Sequence, residues 1–400
     1  MIKLLSLFSG IGAFESALVR GGYPYNLVNY CEIDKYASKA YSQIHNVSEE
    51  LNLWDITKVD EQKLVNKGIN LITYGFPCTD ISMAGQQKGF WEKNGEKTRS
   101  GLFFDALRVI KAVKPSVCIA ENVKALTSKK FRKEFDIVLS SLEVAGYNNH
   151  VAVLNAKDYG IPQNRERVFI ISVRKDIDMC FFEWPEKQEL KFRLKDLLED
   201  EVDEKYFCKS ERALNIAKAL TEKYQNKITG QPVIVGSVQK NAMTNNTGIS
   251  PCLTCRMGES GGNTPMIIDE GGERGRVISP NGVSPCLSAT DYKDPVKIVD
   301  GFNTNTDGNA FCLTAHYSRV APTNFFDCVS GHRATGVIHN GVIRKLTPRE
   351  CWRLMGFTDT EFDKASIGTS NSQLYKMAGN SIVVNVLEAI FRKLFKQVKL

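Results

Sequence analysis

Alternation is the feature that most limits how this chain can fold. The runs Lys3 to Phe8, Leu27 to Cys31, Leu71 to Tyr74, Val117 to Ala120, His150 to Leu154 and Val168 to Val173 have the length and apolar character of buried strands. Helical patterns stand between them at Phe14 to Arg20, Leu102 to Val113 and Phe131 to Ala145. Strands alternating with helices predict an α/β domain built on a parallel, doubly wound sheet. From about Lys187 the rhythm is lost. After a helical pattern at Ser210 to Lys223, Gly, Asn, Thr, Ser and Pro separate short β-like pieces, which predicts a second, smaller, irregular and β-rich domain. Helical patterning returns after Arg344 and ends in an amphipathic helix at Val383 to Phe395. The expected divisions are therefore 1–186, 187–343 and 344–400.

Composition narrows the class. With 400 residues, 42% of them hydrophobic, more than one core can be buried. No apolar run is long enough to cross a bilayer, and the Met-Ile-Lys start carries no secretory pattern, so a soluble cytoplasmic protein is expected. Eleven cysteines, odd in number and mostly scattered, point to reduced thiols. A net charge of +7 is compatible with a polyanionic partner without requiring one. Gly248-Ile-Ser-Pro-Cys-Leu-Thr254 recurs as Gly282-Val-Ser-Pro-Cys-Leu-Ser288, and more weakly at Asn309 to Thr314. Cys252 and Cys255 form a Cys-x-x-Cys pair with no second pair at zinc-ribbon spacing, and Cys312 with His316 is isolated, so no metal site is expected.

Phe8-Ser-Gly-Ile-Gly12 lies between the first strand and the first helix, where glycines allow a ligand to approach the backbone. Glu32 closes the second strand, where a carboxylate can accept from ribose hydroxyls. A plain tight turn is the alternative. Glu15 occupies the place of the third glycine of a pyrophosphate loop and would repel phosphate, so a nucleoside cofactor without a phosphate chain fits better. Asp55 could receive an adenine amino group or simply cap a helix.

Gly75-Phe-Pro-Cys78 places a cysteine behind a proline at the end of the apolar run Ile69 to Tyr74, a position suited to a reactive thiolate. Thr79, Asp80 and Ser82 suit a helix start or turn, and Gln86 to Gly101, charged, glycine-containing and poor in core residues, reads as a mobile lid. Glu121 follows the strand Val117 to Ala120 and emerges at the same sheet edge as Cys78; in partly apolar surroundings it could donate a proton. A helix-start carboxylate is its alternative. Arg165 and Arg167, two apart before a strand, share a face if extended, although such pairs are usually salt-bridged surface.

Together these motifs resemble the C5-cytosine DNA methyltransferase family of bacteria and phages. The resemblance runs from Leu7 to Val384 and rests on Phe8 to Gly12, Gly75 to Cys78, Glu121 to Val123, Gln163 to Arg167, Arg344 to Phe357 and Gly379 to Val384, in family order. It implies a Rossmann-like domain that binds S-adenosyl-L-methionine and a target-recognition domain at 187–343. Cys78 would attack C6 of a cytosine flipped out of double-stranded DNA. Glu121 would hold the N3 and amino edge, Arg167 the O2 side, and Arg165 would support the thiolate and the base. Phe8, Gly10, Gly12, Glu32, Ile33, Asp55, Ile56, Phe76, Leu102, Asn380 and Ser381 would form the cofactor pocket. Ser82, Gln239, Arg256, Glu273, Arg274 and Arg276 are candidates for contact with DNA. Ala13 and Thr79 depart from the family pattern, where glycine and glutamine are common. A monomer is expected, with no need of a companion restriction endonuclease.

Two other classes and one relative compete. A cytosine deaminase needs a second cysteine three residues after the first, and position 81 is Ile81. A tRNA methyltransferase of the same family would need little of so large a recognition region, and a silent DNA-binding protein would have lost Cys78 or Glu121. The DNA sequence recognised is not legible, nor is the repeated unit that faces it.

Overall fold

The computed structural model describes residues 1–77, 90, 98–177, 182–191, 194–206 and 346–400, with the backbone of five short strands between 233 and 345. The helical pattern at Ser210 to Lys223 and the repeats at 248–254 and 309–314 lie outside the described residues.

The apolar runs pair as a sheet. β1 (Ile2–Leu7) is flanked by β2 (Tyr25–Cys31) and β3 (Leu71–Tyr74), and β3 pairs with β4 (Val117–Val123), all in parallel. Beyond β4 the expectation of a wholly parallel sheet is corrected. β7 (Glu166–Arg174) runs antiparallel between β4 and β5 (Tyr147–Asn155), giving the mixed order β2-β1-β3-β4-β7-β5. The reason is the link between β5 and β7, a turn at Ala156–Tyr159 and the two-residue β6 (Gln163–Asn164). It is too short for the crossover helix that a parallel return requires.

Because strand side chains alternate, the sheet builds two cores. Leu71, Val117, Ile119, Phe169 and Ile171 face a core shared with α1 (Ala13–Arg20) and α2 (Lys35–His45). Ile72, Tyr74, Cys118, Ala120, Val168 and Ile170 face the other, closed by α3 (Phe103–Val113) and α4 (Arg132–Val144).

The end of the chain completes the first core through α5 (Pro348–Arg353), α6 (Asp359–Ser366), α7 (Asn371–Asn380) and α8 (Val384–Gln397). Two of these starts are written in the sequence: Thr347 with Glu350 and Thr358 with Glu361 form reciprocal capping boxes, and Pro348 takes the first turn of α5. α8 lies on α1, with the Phe14 and Phe391 rings edge to face at 6.3 Å. Arg20 fastens the same contact, donating to the Gly356 carbonyl at 2.6 Å and pairing with Glu388 at 3.0 Å. Trp352, fully buried, donates its indole N–H to Leu374 O at 2.9 Å.

A second, antiparallel sheet has the order β10 (Lys297–Val299), β12 (Val342–Lys345), β11 (Gly336–His339), β8 (Val233–Val235). The short β9 (Ser284–Pro285) pairs in parallel with β6, Gln163 opposite Ser284. Among the described residues no helix is long and apolar enough to cross a membrane.

Trp352 joins α5 to α7 by both packing and a hydrogen bond, so Trp352→Ala is expected to cost about 3–5 kcal/mol in chemical denaturation. A loss below about 1 kcal/mol would mean that the C-terminal helices contribute little to the fold.

Candidate active site

Strands β1 to β4 end at one edge, where the motifs gather. On the β1–β2 side the glycine turn is tied down at once: Ser9 N–H donates to Cys31 O at 3.1 Å, and the Ser9 hydroxyl lies 2.9 Å from Ser6 O. Phe8, Gly10 and Gly12 all have positive φ, at 52°, 57° and 81°. At Gly12 a side chain would be strained by the positive φ and its Cβ would fall 2.0 Å from His45 Nε2, forcing that ring to shift; beside Gly10 the space is open. Burial lowers the His45 pKa, and its Nε2 sits 3.2 Å from the Ile11 carbonyl beneath the turn.

The Glu32 carboxylate accepts from Gly10 N–H and from Asp34 N–H, both at 2.8 Å. Burial raises its pKa, and these two N–H groups oppose the rise. Asn52, to which the sequence reading gives no role, holds the residue from behind. Its side-chain oxygen accepts from the N–H of Glu32 (3.0 Å) and of Trp54 (2.8 Å), and its amide donates to Glu32 O at 2.9 Å. Trp54 is thereby kept at φ 59°, a strained conformation for a bulky residue, with its carbonyl accepting from the Cys31 thiol at 3.0 Å. Asp55 takes the capping alternative: its Oδ1 accepts from the N–H and hydroxyl of Thr57 at 3.0 and 2.7 Å. Ile33 is 70% exposed, whereas Ile56 and Phe76 are core residues at 4% and 2%, and Leu102 packs on the same core. Glu15 is buried in the first turn of α1 and accepts from Tyr41 at 2.8 Å. An anion there opposes a phosphate chain at this helix start.

The β3–β4 side carries the acid and arginine motifs. Glu121 lies within β4, which removes the helix-start alternative, and its Oε2 would be 3.5 Å from a Cβ added at Gly75. It does not sit alone in apolar surroundings: Arg167 Nε lies 3.0 Å from its Oε1, both side chains largely buried. Asn122 donates to the Phe76 carbonyl at 3.0 Å, fixing the turn that leads to Cys78. This second buried asparagine stands inside the acid motif, the one signal that could have found it. Arg165, 4% exposed, donates to the carbonyls of Gly379 (3.2 Å) and Ser381 (2.7 Å). It therefore binds the far end of the chain to this edge, and brings Ser381 and the exposed Asn380 beside it. The position of Ile382, 3.9 Å from the same Gly75 Cβ, agrees.

Cys78, Ser82, Gln239, Arg256, Glu273, Arg274 and Arg276 lie outside the described residues, as does most of the stretch Gln86 to Gly101. Within that stretch Phe90 is a core residue. It is 1% exposed, stacked on Phe103 at 6.1 Å, with its carbonyl bonded by Thr98 N–H.

Comparison with known proteins agrees with this geometry. The family model for C-5 cytosine-specific DNA methylase matches residues 2–396. The orphan methyltransferase M.SPRI of Bacillus phage SPR is 35% identical, over 98% of this chain and 97% of the phage protein. The type II methyltransferase M.HhaI of Haemophilus parahaemolyticus is 31% identical over 97% and 93%. Among solved structures, the Entamoeba histolytica methyltransferase EhMeth has the same fold, with a TM-score of 0.60 at 18% identity over 100% and 99% of the two chains. A family match over nearly the whole length, with the motif residues gathered at one sheet edge, makes this chain a member of the C-5 cytosine-specific DNA methylases, an enzyme that methylates cytosine in DNA.

Proposed function

We propose that this enzyme moves a methyl group from S-adenosyl-L-methionine to C5 of a cytosine flipped out of double-stranded DNA, through a transient bond between Cys78 and C6. The observation that carries the reading is the Glu121–Arg167 pair, set 3.0 Å apart against the Gly75 turn that leads into Cys78. A stacked base cannot reach such a recessed edge, so the substrate must leave the helix.

The residues fit a nucleoside methyl donor. Open space beside Gly10, the Glu32 carboxylate and the anionic start of α1 suit ribose hydroxyls and disfavour a phosphate chain. Phe8, Gly10, Gly12, Glu32, Ile33, Asp55, Ile56, Phe76, Leu102, Asn380 and Ser381 are assigned to that pocket, with Ile56 and Phe76 supporting it from the core. When bound, the donor supplies an electrophilic methyl group. The Cys78 thiolate adds its electron pair to C6, and the ring electrons move toward C5. Glu121 holds the N3 and amino edge and favours a proton on N3, Arg167 holds O2, and Arg165 steadies the segment around the base. After C5 is methylated, its proton passes to water, the C6–S bond breaks and aromaticity returns. Residues 1–186 and 344–400 form the catalytic unit, 187–343 the recognition unit, and the enzyme acts as a monomer without a companion endonuclease. β9, inside the repeat at 282–288, pairs with β6 of the arginine motif, which favours a role for that repeat beside the site.

The basic run after β4 supplies a track for the DNA backbone. Lys124, Lys129, Lys130, Arg132 and Lys133 are all exposed, starting one residue beyond Val123. Lys124 pairs with Glu166 and Arg132 with Asp136, while Lys129 and Lys133 make no ion pair among the described residues. Phosphates are the partners that such a run fits.

Cys78→Ala is expected to lower labelled-methyl transfer to duplex DNA by about three orders of magnitude or more, with donor binding retained. Transfer at the wild-type rate would rule out the covalent route, and transfer to tRNA instead of duplex DNA would assign a different substrate. Glu121→Gln should lose about 10²–10⁴-fold in turnover, read from single-turnover rates. The double change Lys129→Gln, Lys133→Gln should flatten the dependence of log affinity on log salt by about 0.9 per lost phosphate contact. An unchanged slope in DNA-binding titrations would remove these lysines from the interface.

A further inference from the structure

Glu32 is held by a chain of contacts that ends far away in the sequence. Its two carboxylate oxygens accept from Gly10 and Asp34 N–H, and Asp34 faces Lys376 of α7, with Nζ 2.5 Å from Oδ2. Asp34 also caps α2, accepting from Tyr36 N–H at 2.9 Å. Lys376 lies one helical turn before Asn380, in the segment whose last carbonyls receive Arg165. Both partners are partly shielded, at 36% and 25% side-chain exposure, and 342 positions separate them. An ordinary exposed pair adds little to stability. This one joins the two pieces of chain that border the donor pocket.

We propose that Lys376 is a positioning residue for the methyl-donor pocket: by holding Asp34 it fixes the loop that aims the Glu32 carboxylate, and it docks the Asn380–Ser381 segment against that loop. The proposal rests on the reading of Glu32 as the acceptor for the donor's ribose. Lys376 touches neither donor nor base in this role and acts through Asp34.

A clasp that merely stabilises the fold and one that governs Glu32 differ in a measurable way. Burial raises the Glu32 pKa; beyond the backbone N–H groups, the Asp34 charge raises it and the Lys376 charge lowers it. Tyr30 and Cys31 also feel its charge, and burial holds both protonated, Cys31 pushed up to about 12. For Asp34 itself burial acts upward, but Lys376 and the Tyr36 N–H outweigh it and hold the carboxyl below its usual range. A carboxylate acceptor is lost as pH falls through its pKa. Removing the Lys376 charge therefore moves the loss of donor affinity to higher pH, and removing the Asp34 charge moves it to lower pH.

The test is calorimetric binding of S-adenosylhomocysteine to the full chain across a pH series. Lys376→Met should bind at least about threefold more weakly than wild type near neutrality, with its acid-side loss beginning at higher pH. Asp34→Asn, which keeps the helix cap and the backbone N–H but breaks the ion pair, should also bind more weakly near neutrality by a similar factor, while its acid-side loss begins at lower pH than in wild type. Lys376→Arg should restore the wild-type profile. If Lys376→Met does not fold, Lys376→Gln and Asp34→Asn carry the same comparison. Unchanged affinity near neutrality in both variants, or weakening with the pH midpoint left at the wild-type value in both, would overturn the proposal and leave a structural clasp. Absence of binding by wild type would instead overturn the pocket reading on which it rests, and the proposal with it.

Discussion

The ladder between β3 and β4 is the constraint on which the site depends. Tyr74 is registered opposite Ala120, so the next residue of each strand, Gly75 and Glu121, must emerge side by side. Parallel pairing sets that adjacency through backbone bonds alone, before any side chain acts. A Cβ added at Gly75 would lie 3.5 Å from the Glu121 carboxylate, in ordinary contact, so the two positions share one side of the sheet edge. The antiparallel β7 then adds the cation. Val123 faces Arg167 across the β4–β7 pair, and Glu121 lies two residues along the same face, so acid and guanidinium meet diagonally. A one-residue slip in either ladder would turn one partner to the opposite face of the sheet.

The two ends of the chain are interdependent for a similar reason. The face of the sheet bearing Leu71, Val117 and Ile119 is covered by α1 and α2 together with the C-terminal helices, and neither group closes that core alone. Arg20 and Arg165 reach from the first part to carbonyls of the last, at Gly356, Gly379 and Ser381. These carbonyls lie near helix ends, where backbone acceptors lack partners, and a buried guanidinium supplies several donors at once. The middle of the chain can thus be an insertion whose sheet is built separately, from β8, β10, β11 and β12.

Much of this was legible because it follows from period and punctuation. The six apolar runs are the six strands of the main sheet, each within a few residues, and the glycine turn, Glu32, Glu121 and Arg167 gather at the strand ends. What failed has particular causes. The direction of β7 depends on the length of a connection, which apolar periodicity does not register. The polar Glu121 reads as lying beyond its strand, whereas the β7 ladder carries β4 on to Val123. Helix α2 carries its buried face on Ala37, Ala40, Tyr41 and Ile44 among polar residues, which weakens the apolar signal. Phe90 stands in a charged stretch with no apolar periodicity to mark it as buried, yet its ring packs on Phe103. Asp55 offered two readings of equal weight, and its bonds to Thr57 show the cap while leaving a contact with adenine as a proposal.

Asn52 and Asn122 show why such residues escape a reading by pattern. At the end of a sheet the backbone loses its neighbour strand, and its N–H and C=O groups need other partners if they are buried. An asparagine side chain carries both a donor and an acceptor, so it can continue a ladder for one more residue. Asn52 does this for Glu32 and Trp54, and Asn122 does it for Phe76. Each lies where the chain leaves regular structure and turns toward the site. Replacing either by a residue of similar size without both functions leaves a buried polar group unsatisfied at the turn that aims a functional residue. The rigidity of the site therefore depends on side chains that touch no ligand, and their roles become visible only once the register of the strands is known.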